Sequence, residues 1–400
     1  MERNLLQFKI NAEYALIQGL YWVLYCIILG FSSVYLLDKG YTNSQIGVIL
    51  AVGFLASVIL QQYIAALADR ALGLTLPTIT ILCVLLLGIC CLGIILSGHI
   101  SIFLTVVFIL ACIIEMLIQP LVNSLNFYLE KIPVKMNFGV ARSMGSLLYS
   151  AASFFFGIAI KQTTPDILPF YALIVCGCII LLLVAVNYNY RHNISPISPK
   201  STRSFEKLQI SGFIYQYSMF FIFLIGGLGL YFGHTLINNY LYQITVNVNG
   251  NSQDLGSLQA FSALLELPAM IFFATLQKRF GCRKLLQASA VFFIIKIVIT
   301  LFATNIFLLY LSMVFQSLSF AVFIPGSVHY VNEVMLPNDA VKGQAFVTGM
   351  ITIANLLSSL LGGILLDQSG VFTMLTIGTI VTIIGAGITI YSLQQSQNEC

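Results

Sequence analysis

Twelve apolar stretches of about 20 residues each recur along this chain of 400, centred near residues 25, 56, 86, 113, 149, 178, 221, 267, 294, 320, 356 and 381. A helix of that length crosses the hydrocarbon core of a bilayer. Lipid offers no partner to an unpaired backbone group, so such spans must be helices unless they close into a barrel. The period-two alternation of a barrel is absent. Charge points the same way: only 8% of residues are charged, against roughly 25% in soluble domains. So few charges cannot cover a surface that faces water. The first apolar run is too long for a signal peptide and lacks a small-residue cleavage site, so it is expected to stay as a helix.

The connections are short, apart from a polar, basic stretch from Asn187 to Leu208 near the middle of the chain. It predicts an N-terminal six-helix bundle over 1–188, a cytoplasmic linker over 189–208 and a C-terminal six-helix bundle over 209–400. Lys and Arg set the orientation. With the N-terminus inside, fourteen fall on the cytoplasmic side, among them Arg70, Lys278, Arg279, Arg283, Lys284 and Lys342; only Lys39 and Lys161 fall outside. An even number of spans with both termini cytoplasmic follows. Short loops and basic inner loops suggest the cytoplasmic membrane of a bacterium. The nine cysteines show no metal-ligand spacing, and an odd count argues against a disulfide framework; they read as small packing residues.

The halves echo each other. Asn43-Ser44-Gln45-Ile46-Gly47 opens the second span and Asn251-Ser252-Gln253-Asp254-Leu255-Gly256 the eighth; Gly47 to Arg70 and Gly256 to Arg279 are both 23 residues. Gly139 and Gly145 in span five are likewise matched by Gly343 and Gly349 in span eleven. The predicted fold class is therefore all-α integral membrane, with twelve transmembrane helices in two pseudo-symmetric six-helix bundles. Parallel repeats of this kind build carriers that work by alternating access.

These features resemble the major facilitator superfamily over essentially the whole chain. Ala65-Ala66-Leu67-Ala68-Asp69-Arg70-Ala71-Leu72-Gly73 is similar to that family's G-x-x-x-D-R/K-x-G-R-R/K loop, with an Ala at the first Gly and without the closing basic pair. Its counterpart, Leu276-Gln277-Lys278-Arg279-Phe280-Gly281-Cys282-Arg283-Lys284, keeps its basic residues. The resemblance gives Asp69, Arg70, Lys278 and Arg279 a role in locking the inner gate; the plainer reading is ordinary positive-inside charge.

A narrower resemblance is to the branch of lactose and nucleoside permeases. Phe138-Gly139-Val140-Ala141-Arg142-Ser143-Met144-Gly145-Ser146 is similar to the branch's segment opening span five. It implies that Arg142 binds substrate and that Tyr149, on the same helix face, stacks on a sugar ring. An interfacial Arg142 and a packing Tyr149 remain the other reading. In span four, Glu115, Gln119 and Asn123 form a polar stripe. Asn123 stands where the branch usually has an acid, and Glu115 is the candidate to supply that charge, pairing with Arg142 or Lys296. From Phe302-Ala303-Thr304 onward, the resemblance sets a register in which Gln316 falls on the branch's His and Ser319 on the Glu that carries the coupled proton. That departure leaves Glu266, followed by Pro268, as the substitute carboxylate. An ionisable group in mid-span is a functional candidate by default.

His234, Asn238, Asn239, His329, Thr352, Asn355 and Ser359 are further polar groups with either cavity or interhelical roles; Trp22, the only tryptophan, is either an interfacial anchor or a cavity wall. There is no Walker loop, metal triad or protease motif, so neither enzyme chemistry nor a cofactor is expected. The expected substrate-binding set is Asn123, Arg142, Tyr149, Asn239, Glu266 and Gln316, and the coupling or charge-pair set Glu115, Glu266 and Lys296. Together they predict a monomeric secondary transporter for a small polar solute, foremost a sugar or oligosaccharide, in symport with protons, with lipid as its surroundings and no nucleic-acid partner. The alternative is an uncoupled facilitator or efflux carrier for sugars, nucleosides, aromatic acids or drugs.

Overall fold

The computed structural model describes residues 2–69, 75–129, 136–193, 210–336 and 339–395. Every regular element among them is helical. In the first half, α1 (Glu2–Tyr25) runs through a π-helical turn (Cys26–Gly30) into α2 (Ser32–Asp38). Then come α3 (Asn43–Asp69), α4 (Leu76–Ile95), α5 (Ile102–Leu129), α6 (Phe138–Gln162) and α7 (Ile167–Asn193). The second half holds α8 (Ile210–Gln216), α9 (Ser218–Asn239), α10 (Leu241–Asn247), α11 (Ser252–Phe280) and α12 (Cys282–Leu301). It ends with α13 (Ile306–Leu318), α14 (Phe320–Val334) and α15 (Ala340–Gln395).

Eleven helical segments among the described residues are long and apolar enough to cross a membrane. The last of them, Lys342–Gln395, has 54 residues. As one straight helix it would reach about 80 Å at 1.5 Å per residue, far more than a bilayer core of roughly 30 Å. Gly370 divides it, with φ 79° and ψ −178°, a conformation that essentially only glycine adopts. Two crossings result, and the total is twelve. Leu82, Leu86, Ile89, Ile174 and Leu181 are exposed on α4 and α7, as surfaces that face lipid require.

Two spans sit differently from the sequence expectation. The first covers Leu6–Gly30 rather than centring near residue 25, because the helix begins among polar residues and the apolar run beyond Gly30 belongs to the separate α2. The seventh is Ser218–Asn239, centred later than 221, because His234, Asn238 and Asn239 lie inside the helix.

Side chains set several helix starts. Gln45 N donates to Thr42 Oγ1, and Gln45 Oε1 accepts from Thr42 N at 3.0 Å, a reciprocal cap that starts α3. Thr75, Asn137 and Asn305 accept backbone N–H groups at the starts of α4, α6 and α13, satisfying donors that a helix leaves open.

By its internal packing the chain divides into two compact units. One comprises Met1–Ser198 with Ser252–Ala263, the other Pro199–Asn251 with Leu264–Cys400. The first twelve residues of α11 thus group with the N-terminal helices, which a simple cut near 189–208 does not anticipate. α7 continues to Asn193, and the rest of the expected linker lies outside the described residues. In the first unit α1 packs on α6, α4 on α5 and α7, and α3 on α5. There α6 meets the start of α11 at two glycines: a Cβ on Gly157 would lie 2.8 Å from Ser252 O and 2.9 Å from Gly256 Cα. In the second unit α9 and α12 pack on α15, around a core that includes Phe223, Tyr231, Phe293, Phe323 and Tyr330.

Candidate functional site

In the first unit, α6 carries Arg142, Gly145, Ser146 and Tyr149 at i, i+3, i+4 and i+7, one helical face. The Arg142 guanidinium carbon lies 4.3 Å from the ring centroid of Trp22 on α1, and its Nη1 lies 3.5 Å from Ser146 Oγ. Gly145 makes the approach possible, since a Cβ there would fall 2.4 Å from Trp22 Cδ1. Trp22, Tyr25 and Tyr149 cluster with centroids 5.1–6.4 Å apart, all three half-buried. On the same stretch of α1, Gln18 Nε2 donates to Asn123 Oδ1 at 3.0 Å and to Tyr14 OH at 2.9 Å. The expected residues Asn123, Arg142 and Tyr149 thus each engage α1 or lie beside it. Sequence reasoning missed Gln18 and left Trp22 undecided; the partner that Arg142 would meet on α1 carries no local sequence signal.

Glu115 is fully buried, and among the described residues neither carboxylate oxygen has a hydrogen-bond partner. Tyr21 and Tyr25 of α1, Cys91 of α4 and Cys112 of α5 lie within reach of its charge. Among the described residues of its own unit it makes no hydrogen bond to Arg142, one of the two partners expected for it. Its helix face turns it into the interior of the unit, whereas the Arg142 guanidinium stacks on Trp22.

The second unit holds a continuous polar chain drawn from four helices. Lys296 Nζ of α12, 1% exposed, donates to Gln316 Oε1 of α13 at 2.7 Å. Gln316 Nε2 donates to Glu266 Oε1 of α11 at 2.6 Å. On its other side Lys296 Nζ lies 3.1 Å from His234 Nδ1 of α9, and His234 Nε2 lies 3.1 Å from the Asn238 amide. The imidazole stacks on Phe320 at 4.6 Å. The amide orientation of Gln316 is dictated: its oxygen must face the ammonium, which only donates, and its nitrogen the carboxylate, which accepts. Burial makes the bonds electrostatically stronger and each missing partner costlier.

The remaining expected residues are dispersed. Asn239 Nδ2 donates to Ser359 Oγ at 2.8 Å, joining α9 to α15, where Tyr240 OH also bonds the Ser359 carbonyl. Ser319 separates α13 from α14; its hydroxyl donates to Phe315 O at 2.8 Å and its carbonyl accepts from Ser289 Oγ at 2.9 Å. Of the gating-loop residues, Arg70 and the Asp69 side chain lie outside the described residues. Lys278 and Arg279 are exposed at the end of α11, with the Arg279 guanidinium carbon 5.4 Å from the Phe280 ring. The nearby ion pair is a different one: Arg283 Nε lies 2.9 Å from Glu333 Oε1, tying the start of α12 to the end of α14. Among the described residues no three His, Cys, Asp or Glu side chains converge as a metal site.

Comparison with known proteins agrees with this architecture. The chain is 24% identical over 411 aligned positions, covering 98% of its length and 96% of the relative, to a protein of Bacillus subtilis (strain 168) described as the uncharacterized transporter YwbF. Its fold is similar to the crystal structure of the nucleoside transporter NupG, with a TM-score of 0.74 at 14% identity over 96% of this chain and 98% of that one. It is also similar to a bacterial homologue of the human lysosomal transporter Spinster, at a TM-score of 0.73 and 14% identity over 97% of both chains. The pattern of the MFS_1 like family matches residues 14–377. The chain belongs to that family, and it is a multi-pass membrane transporter of the major facilitator type.

Proposed function

We propose that the protein moves a small, polar, hydroxyl-rich solute, foremost a sugar or oligosaccharide, in symport with protons by alternating access, and that Glu266 is the coupling carboxylate. The observation that carries this reading is the chain Glu266–Gln316–Lys296–His234. It places one half-buried acid a single amide away from a buried cation. Protonating Glu266 removes the charge that orients Gln316, so the hydrogen-bonding edge offered to a solute changes with proton occupancy. A carboxylate and a cation linked through an amide can exchange partners without leaving an uncompensated buried charge, which would cost several kcal/mol. In the first unit, Arg142, Tyr149 and Asn123 supply the groups suited to hydroxyls and a ring face.

A second reading, a carrier without tight proton coupling, is favoured by Ser319. The position that the family resemblance matches to a proton-carrying acid holds a hydroxyl bonded to its own helix. Nucleosides, aromatic acids and drugs belong with that alternative, as does efflux.

Glu266→Gln in proteoliposomes separates the two. Under the symport reading the variant loses uphill accumulation driven by a pH gradient and keeps solute exchange. Unchanged accumulation would sink Glu266 as the coupling group. No gradient-driven accumulation even in the wild type would leave the uncoupled carrier.

A further inference from the structure

We propose that the turn between α11 and α12 is a docking site for an anionic phospholipid, whose headgroup is held by Lys278, Arg279 and Lys284. The proposal needs only that the chain spans a bilayer, and it stands whatever the solute is.

One residue joins the two spans. α11 ends at Phe280 and α12 begins at Cys282, with Gly281 between them at φ 81°, where a residue without a Cβ meets no steric cost. Lys278, Arg279, Arg283 and Lys284 thus stand together where two membrane-spanning helices meet. The side of this hairpin that faces α14 is closed. Phe273 stacks on His329 with centroids 5.6 Å apart, Cys282 Sγ donates to Gly326 O at 3.2 Å, and Arg283 is paired with Glu333. That pairing uses one of the four cations.

The other side is open and differently composed. Lys278, Arg279 and Lys284 are exposed, and among the described residues none of them forms an ion pair with a carboxylate. Ile271 and Phe272 are also exposed. They precede Lys278 and Arg279 by seven residues, two turns along the same helix face and about 10 Å away along the axis. On α12, Val291 is exposed seven residues beyond Lys284. Both helices therefore present apolar side chains within the span and cations at its end. A phosphodiester carried on acyl chains complements that profile, with its charge on the cations and its chains on the apolar stripes. A soluble anion would use the charges and leave the stripes idle. Basic residues close to a bilayer favour anionic lipid charge by charge. Charge that served orientation alone would not discriminate between lipids.

The experiment titrates the purified full-length protein, in a neutral detergent, with three compounds. Dioleoylphosphatidylglycerol is anionic; dioleoylphosphatidylcholine has the same chains and no net charge; glycerol 3-phosphate has the phosphate and no chains. Melting temperature and the lipid retained in native mass spectrometry are followed. The proposal expects phosphatidylglycerol to be retained and to raise the melting temperature saturably, at least about tenfold more tightly than phosphatidylcholine. Lys278→Gln, Arg279→Gln and Lys284→Gln should each weaken it by about fivefold, and the triple variant should lose the preference. A triple variant that melts with the wild type in phosphatidylcholine shows that the loss is not one of folding; if the triple does not fold, the single variants carry the test. Lys161→Gln, which removes a cation bonded to Gln253 on another pair of helices, should keep the preference. Equal binding of the two lipids overturns the proposal and leaves the cations to orientation. A preference that survives all three substitutions overturns it too, by placing the lipid elsewhere. Glycerol 3-phosphate that stabilises as strongly as the anionic lipid makes this a site for a soluble anion and removes the lipid.

Discussion

Gln316 Nε2 lies 2.6 Å from Glu266 Oε1, and the same amide accepts from Lys296 through its oxygen. One neutral side chain therefore links a carboxylate to a buried lysine across three helices.

Replacing that amide should expose how much depends on it. Gln316→Leu keeps bulk and removes both bonds, leaving a buried ammonium short of an acceptor. Losing a buried hydrogen bond to a charged group costs about 1.5–3 kcal/mol, so the melting temperature of the purified variant should fall by several degrees. Gln316→Glu would set a second carboxylate beside Glu266 and should make stability and transport more sensitive to pH than in the wild type. A Gln316→Leu protein as stable as the parent would show that the chain contributes nothing to folding.

The glycines of α6 and α15 make a paired test. At Gly157 an added methyl meets backbone on α11, a neighbour that cannot swing away, so Gly157→Ala should destabilise by about 1–3 kcal/mol, as overpacking does. At Gly349 none of the described residues lies within 4 Å of the added carbon, and Gly349→Ala in a helix interior should be neutral or stabilising by up to about 1 kcal/mol. Thermal unfolding of both variants checks the contrast. Equal effects would mean that the α6–α11 contact is looser than described.

Asp339, in the loop before α15, should give the fold a pH dependence. A hydrogen bond from Lys342 holds its carboxyl below the ordinary range, partly offset by burial and reinforced by Tyr217 OH. The folded value therefore lies below the unfolded one. The resulting stabilisation is complete above the ordinary carboxylate range, near 4, and is lost as pH falls through the lowered folded value. Asp339→Asn should melt lower than the wild type at neutral pH, and the two curves should converge on acidification. Parallel curves across that window would remove Asp339 as the source.

Helix class, span count and polar inventory were legible in the sequence because they are local. A run of about 20 apolar residues can do little else in lipid, and Glu115, Glu266 and Lys296 stand out within such runs whatever surrounds them. The seam between the units was less legible: the first turns of α11 join the N-terminal unit through Gly157 and Gly256, a contact between residues 99 apart. The twin glycine pairs show the limit of pattern reading. Gly145 makes room for an indole, whereas Gly349, its counterpart by spacing, has no described residue within 4 Å of where a Cβ would stand.

The sequence by itself determined that this chain spans a membrane as helices, because hydrophobicity and backbone satisfaction are properties of segments. Which ionisable groups meet was decided by tertiary structure alone. Glu115 and Glu266 are the same residue type in similar apolar surroundings, yet one is sealed without a hydrogen bond among the described residues and the other is linked through Gln316 to a buried lysine. The difference is the direction in which each helix turns its face, and that is set by packing against neighbours far away in the chain.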